Sequence, residues 1–207
     1  MTHQLKGDAF QNRYRITGTL TTASPLHIGT GEERLLNADS NIHVSTIITD
    51  WQGKPLIPGS TLRGVLRNWL LTILEGIPKC LPSDSTFHAD WAKEHNYTDK
   101  DLLEKDQSKQ IQIVKGTFSY LELLFGTPFN AGKVEVWDAI CSTGNLQSMN
   151  DRLLRWDSNR LTYVDTSVAI DPARGTAKEK LLYKADVVPP GVTFDLSLVA
   201  QNLSDLE

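Results

Sequence analysis

The chain has little of what marks a metal centre, a membrane span or a bulk electrostatic nucleic-acid binder. It holds two cysteines, Cys80 and Cys141, far apart and with no CxxC or Cys/His cluster. That spacing argues against a zinc site, and free thiols in a reducing compartment are the default. No apolar run reaches the ~20 residues that a membrane helix needs. The N-terminus, MTHQLKGDAFQNRYR, lacks the apolar core of a signal segment. There is no excess of positive charge either. The net charge is −4 and the isoelectric point about 5.7. RNA or DNA binding must therefore come from a local basic face or from a larger assembly. No internal repeat is visible. These absences lead to the expectation of a soluble cytoplasmic protein that does not enter a membrane. Its 207 residues, 40% apolar, suffice for one domain with a real core.

The richest stretch is PLIPGSTLRGVLRNWL, Pro55 to Leu70. A short strand runs into Pro58-Gly59-Ser60, and a helix is predicted from Ser60 to about Glu75. The Ser60 hydroxyl suits the role of N-cap. Arg63 and Arg67 stand four apart on one helical face, and Leu62, Val65, Leu66 and Trp69 form the apolar stripe. The arginine face suits a phosphate backbone, and solvated arginines on a core helix are the plain alternative.

The remaining elements follow from alternation and breakers. Arg13 to Ala23 alternates as a half-buried strand. Ser24 to His43 holds glycines and charges without a sustained period and reads as a long loop. Val44 to Thr49 is a strand, Asp50 to Lys54 a turn, and Pro55 to Ile57 pairs back. Residues 76–115 read as a helical and loop insertion. Lys115 to Phe125 is a short helix ended by Gly126. Lys133 to Cys141 is a strand. Tyr163 to Ile170 and Leu181 to Val188 are the arms of a hairpin with Asp171 to Gly175 at its tip. Pro189-Pro190-Gly191 breaks the chain. Val192 to Ala200 is a strand, and Asn202 to Glu207 the start of a helix. Trp69 and Trp137 are expected in the core. Trp51 and Trp156 are placed either stacked on a base or simply packed.

This order covers most of a βαββαβ ferredoxin-like (RRM-like) α+β unit without its last strand. It implies an unpaired edge and an uncovered apolar face, hence an isolated chain that aggregates. Residues 1–207 are read as one domain interrupted by the 76–115 insertion.

Four segments together resemble the RAMP superfamily of RNA-binding proteins, and more narrowly the backbone subunit of type III CRISPR effector complexes. They are SPLHIGTGE (Ser24 to Glu32), GKPLIPGSTLRGVLR (Gly53 to Arg67), LFGTPFNAGKVEVWDA (Leu124 to Ala139) and DTSVAIDPARGTAKEKLLYKADVVPPGVTFDL (Asp165 to Leu196). The resemblance implies that Ser60, Arg63 and Arg67 lie at the guide RNA. It makes the Thr166 to Val188 hairpin a thumb that splays a guide–target base pair. Ile170, Pro172 and Ala173 would form its apolar wedge, and Arg174, Lys178, Lys180 and Lys184 would meet phosphates. The partners implied are guide RNA, target RNA, other RAMP-family subunits and the large subunit of the complex.

In this family the loop after the first strand can carry an aspartate needed for metal-dependent cleavage of target RNA. Ala38-Asp39-Ser40 is the best local match, with Asn41, Ile42 and His43 as extra residues before the next strand. Aligned backward from that strand, Val44 takes the position instead, with His43 beside it. As chemistry, Asp39 would hold Mg²⁺ near the scissile phosphate and His43 would act as general base. The alternative is an Asx turn at Asp39 and a solvent-facing His43. Three functions stay open: a guide-RNA-binding scaffold, a scaffold that is also an endoribonuclease, and a structural domain that contacts only neighbouring subunits. His27 reads as a hydrogen-bonded structural histidine.

Overall fold

A computed structural model of the chain describes residues 10–37, 41–77, 118–127, 131–142, 155–171 and 176–203; the side chains of residues 168–171 and 176–182 are outside that description. The described residues form strands β1 (Arg13–Thr21), β2 (Gly29–Leu35), β3 (His43–Ile47) and β4 (Leu56–Ile57), helix α1 (Gly59–Ile73), helix α2 (Tyr120–Phe125), and strands β5 (Val134–Val136), β6 (Ala139–Ser142), β7 (Tyr163–Asp171), β8 (Thr176–Val187) and β9 (Thr193–Gln201).

The chain divides into two compact units. One draws on Met1–Ile16, Ser60–Val136 and Leu198–Glu207, the other on Thr17–Gly59 and Trp137–Ser197. In spatial order β1 lies beside β9 and β9 beside β6, with β4 on the far side of β6 and β5 also paired to β9. The chain order β1, α1, β6, β9 with β9 in the middle of the three strands is that of a ferredoxin-like α+β fold. A second sheet runs β2-β3-β8-β7.

The first unit is built around α2. Ser119 caps this helix with a complete capping box. Its hydroxyl accepts from the Glu122 N–H, and the Glu122 carboxylate accepts from the Ser119 N–H at 2.8 Å. Gly126 ends it with φ of 83°, as the terminating glycine predicted. Leu121, Leu123, Phe125, Val199 and Ala200 are buried. Helix α1 starts one residue before the expected cap. Ser60 is its exposed second residue, and the Gly59 N–H donates instead to Asp138 Oδ1 at 2.7 Å. Leu62, Leu66 and Leu70 are half-buried. Trp69, expected in the core, is 59% exposed, and it shares its open stripe with Val65, Ile73 and Ile77. Val65, Trp69 and Ile73 lie on a line of i, i+4 spacing and Ile77 follows beyond the helix end, so the apolar helix face extends past what the described residues cover. In β1, expected half-buried, Tyr14 and Ile16 are exposed.

The second unit has an apolar interior of Val44, Ile47, Val164, Val187, Val192 and Phe194. Gly191, with φ of 89°, turns the chain after Pro190 and donates to the Thr22 carbonyl at 2.7 Å. The segment read as a loop over Ser24 to His43 contains β2, antiparallel to β3. Only Arg34 along β2 is even half-buried, so no apolar alternation announces it, and a register shift between Gly29 and Glu33 breaks its period. The strand expected over Lys133 to Cys141 divides at Trp137-Asp138. Val136 stands opposite Leu198 but Ile140 opposite Asp195, so the register slips by one residue. That bulge leaves Trp137, also expected in the core, 55% exposed. β9 continues to Gln201, and Asn202 follows with φ of 54°, where a helix start was expected; residues 204–207 lie outside the described residues. So does most of the 76–115 insertion.

Candidate nucleic-acid interface

β7 and β8 form the hairpin read from the sequence, paired from Tyr163↔Val187 out to Asp171↔Thr176. β3 runs parallel to β8 in the register Ser45↔Ala185. Its five residues therefore flank only Tyr183 to Val187. The seven residues Thr176 to Leu182 pair with β7 alone among the described residues. β7 sets only Val168 to Asp171 opposite them, with a register shift between Val168 and Ile170, so at about 3.3 Å per residue the two-stranded ribbon projects roughly 13 Å beyond the sheet. Lys178 and Lys180 lie on this ribbon and Lys184 at its root, half-buried. Ile170 is the penultimate residue of β7 and pairs with Ala177. Pro172, Ala173 and Arg174 lie outside the described residues.

The root is pinned by a charge cluster that the sequence did not disclose. Asp186 in β8 is 1% exposed. Arg34 in β2 donates to both its carboxylate oxygens, from Nε at 2.9 Å and from Nη2 at 2.7 Å. Arg160 donates to Oδ2 at 3.4 Å. These bonds raise the Arg34 guanidinium above its ordinary value and outweigh the opposing effect of burial. His27 Nδ1 lies 2.7 Å from the Asp186 carbonyl, the hydrogen-bonded structural position expected for it. Asp186 is the lone acid in the apolar run Ala185-Asp186-Val187-Val188. That oddity was legible, but its partners come from distant segments and were not.

The β2–β3 connection leaves the sheet at the ribbon's end, because β3 runs parallel to β8 and begins at His43. The Leu36 N–H donates to the Ile42 carbonyl at 2.9 Å across its base. Asp39 lies outside the described residues. His43 is exposed, and its Nδ1 is 3.3 Å from the Glu33 carboxylate. Glu33 lies in β2, within the stretch expected to be a loop. Among the described residues there is no group of three or more His, Cys, Asp or Glu side chains able to hold a metal.

The helix arginines part ways. Arg67 is exposed, whereas Arg63 is half-buried and its Nη2 donates to the Phe125 carbonyl at the end of α2. Gly132 makes room for this contact. A Cβ there would sit 2.8 Å from Arg63 Nη2 and 2.7 Å from the Phe125 carbonyl carbon. Trp51 is 91% exposed on a turn braced by Asp50, whose carboxylate accepts from the Gln52 and Lys54 N–H groups. No helix among the described residues is long and apolar enough to cross a membrane.

Comparison with curated proteins gives no match. The family model of the RAMP superfamily matches residues 19–206, nearly the whole chain. This chain belongs to the RAMP superfamily, whose members are generally CRISPR-associated RNA-binding proteins.

Proposed function

We propose that this chain is a guide-RNA-binding backbone subunit of a type III CRISPR effector complex, with a role in antiviral defence. The observation that carries the reading is the projecting β7–β8 ribbon, which carries lysine positions beyond a braced sheet. Such an arm is suited to lie between the strands of a guide–target duplex, its lysines on phosphates. Arg67 supplies a second, exposed cationic position on α1. Arg63 supports that helix through α2 and offers the RNA at most its remaining N–H groups. Its partners would be guide RNA, target RNA, other RAMP-family subunits and the large subunit. The test is co-expression with those subunits and a guide. The purified complex should retain guide RNA, and Lys178→Glu/Lys180→Glu should deplete it. A complex that assembles with full guide content despite both changes contradicts the reading and favours a structural domain that contacts only its neighbours.

A second reading is that the subunit also cuts target RNA through Asp39. The Glu33–His43 pair beside that loop favours it, because a carboxylate that orients an imidazole suits a general base. Mg²⁺, if used, would be held by Asp39. In the reconstituted complex Asp39→Ala should remove cleavage while leaving guide binding intact.

A further inference from the structure

The solvent face of the β2-β3-β8-β7 sheet carries a row of side chains at the foot of the ribbon. Leu35 stands opposite His43, and Tyr183 opposite Ser167. Two residues back from the Ser45↔Ala185 rung, alternation brings His43 and Tyr183 to the same face on neighbouring strands. The row thus reads Leu35, His43, Tyr183, Ser167 across four strands. The row behind it holds Glu33, Ser45, Ala185 and Asp165. The opposite face is buried at Val44, Val164 and Asp186, and the row's own face is covered further along at Ile47 and Val187, so it is open at the ribbon end alone among the described residues.

Tyr183 is 57% exposed and Leu35 49%. Folding gains little from an aromatic ring left in water beside an exposed imidazole. The Glu33 carboxylate lies 3.3 Å from His43 Nδ1, and both rings are carried by paired strands of one sheet. Two flat rings on adjacent strands of an open sheet make a stacking surface for an unpaired base. The chemistry around them selects a base rather than a phosphate. Glu33 and the exposed Asp165 repel the backbone but can accept hydrogen bonds from an exocyclic amine. On the RNA-binding reading the backbone charge is left to the lysine positions of the ribbon.

We propose that Tyr183 and His43 form a base-stacking platform at the root of the hairpin, which holds one unpaired RNA base beside the ribbon. This rests on the RNA-binding reading and adds the residues that hold a base. The test uses the full chain and a short single-stranded RNA carrying 2-aminopurine, whose fluorescence is quenched on stacking. Wild type and Tyr183→Phe should quench it on binding. Tyr183→Leu should abolish the quench and weaken binding about tenfold, and His43→Ala should reduce both. Because Tyr183 is exposed, thermal melting of Tyr183→Leu should match that of Tyr183→Phe. Undiminished quench and affinity in Tyr183→Leu would overturn the platform and leave RNA binding by the ribbon standing. Loss of self-association in that variant with RNA affinity intact would overturn it in favour of a protein contact. Failure of the wild-type chain to bind RNA at all would remove both readings.

Discussion

Replacing Arg34 with methionine should destabilise the second unit by about 3–5 kcal/mol. The side chain volume is nearly kept, so packing changes little. What is lost is a bidentate grip on a carboxylate that is 1% exposed. Each charge-assisted bond contributes about 1.5–3 kcal/mol, and Asp186 is left with Arg160 at 3.4 Å as its remaining cation. An uncompensated buried charge is the costly state, so changing both partners should cost less than changing one. Arg34→Met/Asp186→Leu should recover much of the loss, with a coupling of about 2–3 kcal/mol in a double-mutant cycle. At about 2–4 °C per kcal/mol for a chain of this size, the single variant should melt roughly 10 °C lower. Urea denaturation gives the free energies, and amide exchange locates them. Protection should fall in β2 and at the root of β8, because Arg34 ties the edge strand to the hairpin across β3. A single-variant cost below about 1 kcal/mol, the range of a surface pair, would refute the idea that this cluster anchors the ribbon.

Three other perturbations probe separate parts of the molecule. Gly132→Ala should destabilise the first unit by about 1–3 kcal/mol, measured by thermal melting, because its Cβ meets backbone at 2.7 Å and Arg63 at 2.8 Å. The Cys141 thiol is raised above its ordinary value by burial, so less thiolate forms at a given alkaline pH than in a free cysteine. In a Cys80→Ser background its reaction with a disulfide reagent at pH 8 should be slow when native and fast in urea; equal rates would contradict the burial. The exposed stripe Val65, Trp69, Ile73 should make the isolated chain aggregate. Trp69→Gln/Ile73→Gln should raise the monomer fraction in light scattering, and an unchanged fraction would acquit the stripe.

The elements that announced themselves were those with local signals. The hairpin alternates and is bounded by turn residues, α2 is ended by its terminating glycine, and Gly191 follows two prolines; the start of α2, expected at Lys115, lies instead at Tyr120 behind the Ser119 cap. β2 gave no such signal, since its pairing partner sets its structure while nearly all its side chains face water. Trp69 and Trp137 were misplaced for a related reason. Hydrophobicity reports which residues favour burial but not whether a given face finds a cover. The site divides along the same line. The hairpin was legible, but its second arm begins at Thr176 rather than at the expected Leu181, which is what puts Lys178 and Lys180 on a strand. The Asp186 cluster and the Leu35-His43-Tyr183-Ser167 row need the register of four strands drawn from two distant stretches of chain, joined by the β3–β8 pairing, and pairing at such distance leaves no periodicity to read.

RNA binding by the ribbon is tested most directly by its salt dependence. Affinity of the chain for single-stranded RNA should fall linearly with salt on logarithmic axes. Changing Lys178, Lys180 and Lys184 to glutamine should reduce the magnitude of that slope by about 2, some 0.7 for each lost phosphate contact. A slope unchanged by the triple substitution, with affinity intact, would show that the RNA lies elsewhere and that the ribbon is not its binding arm.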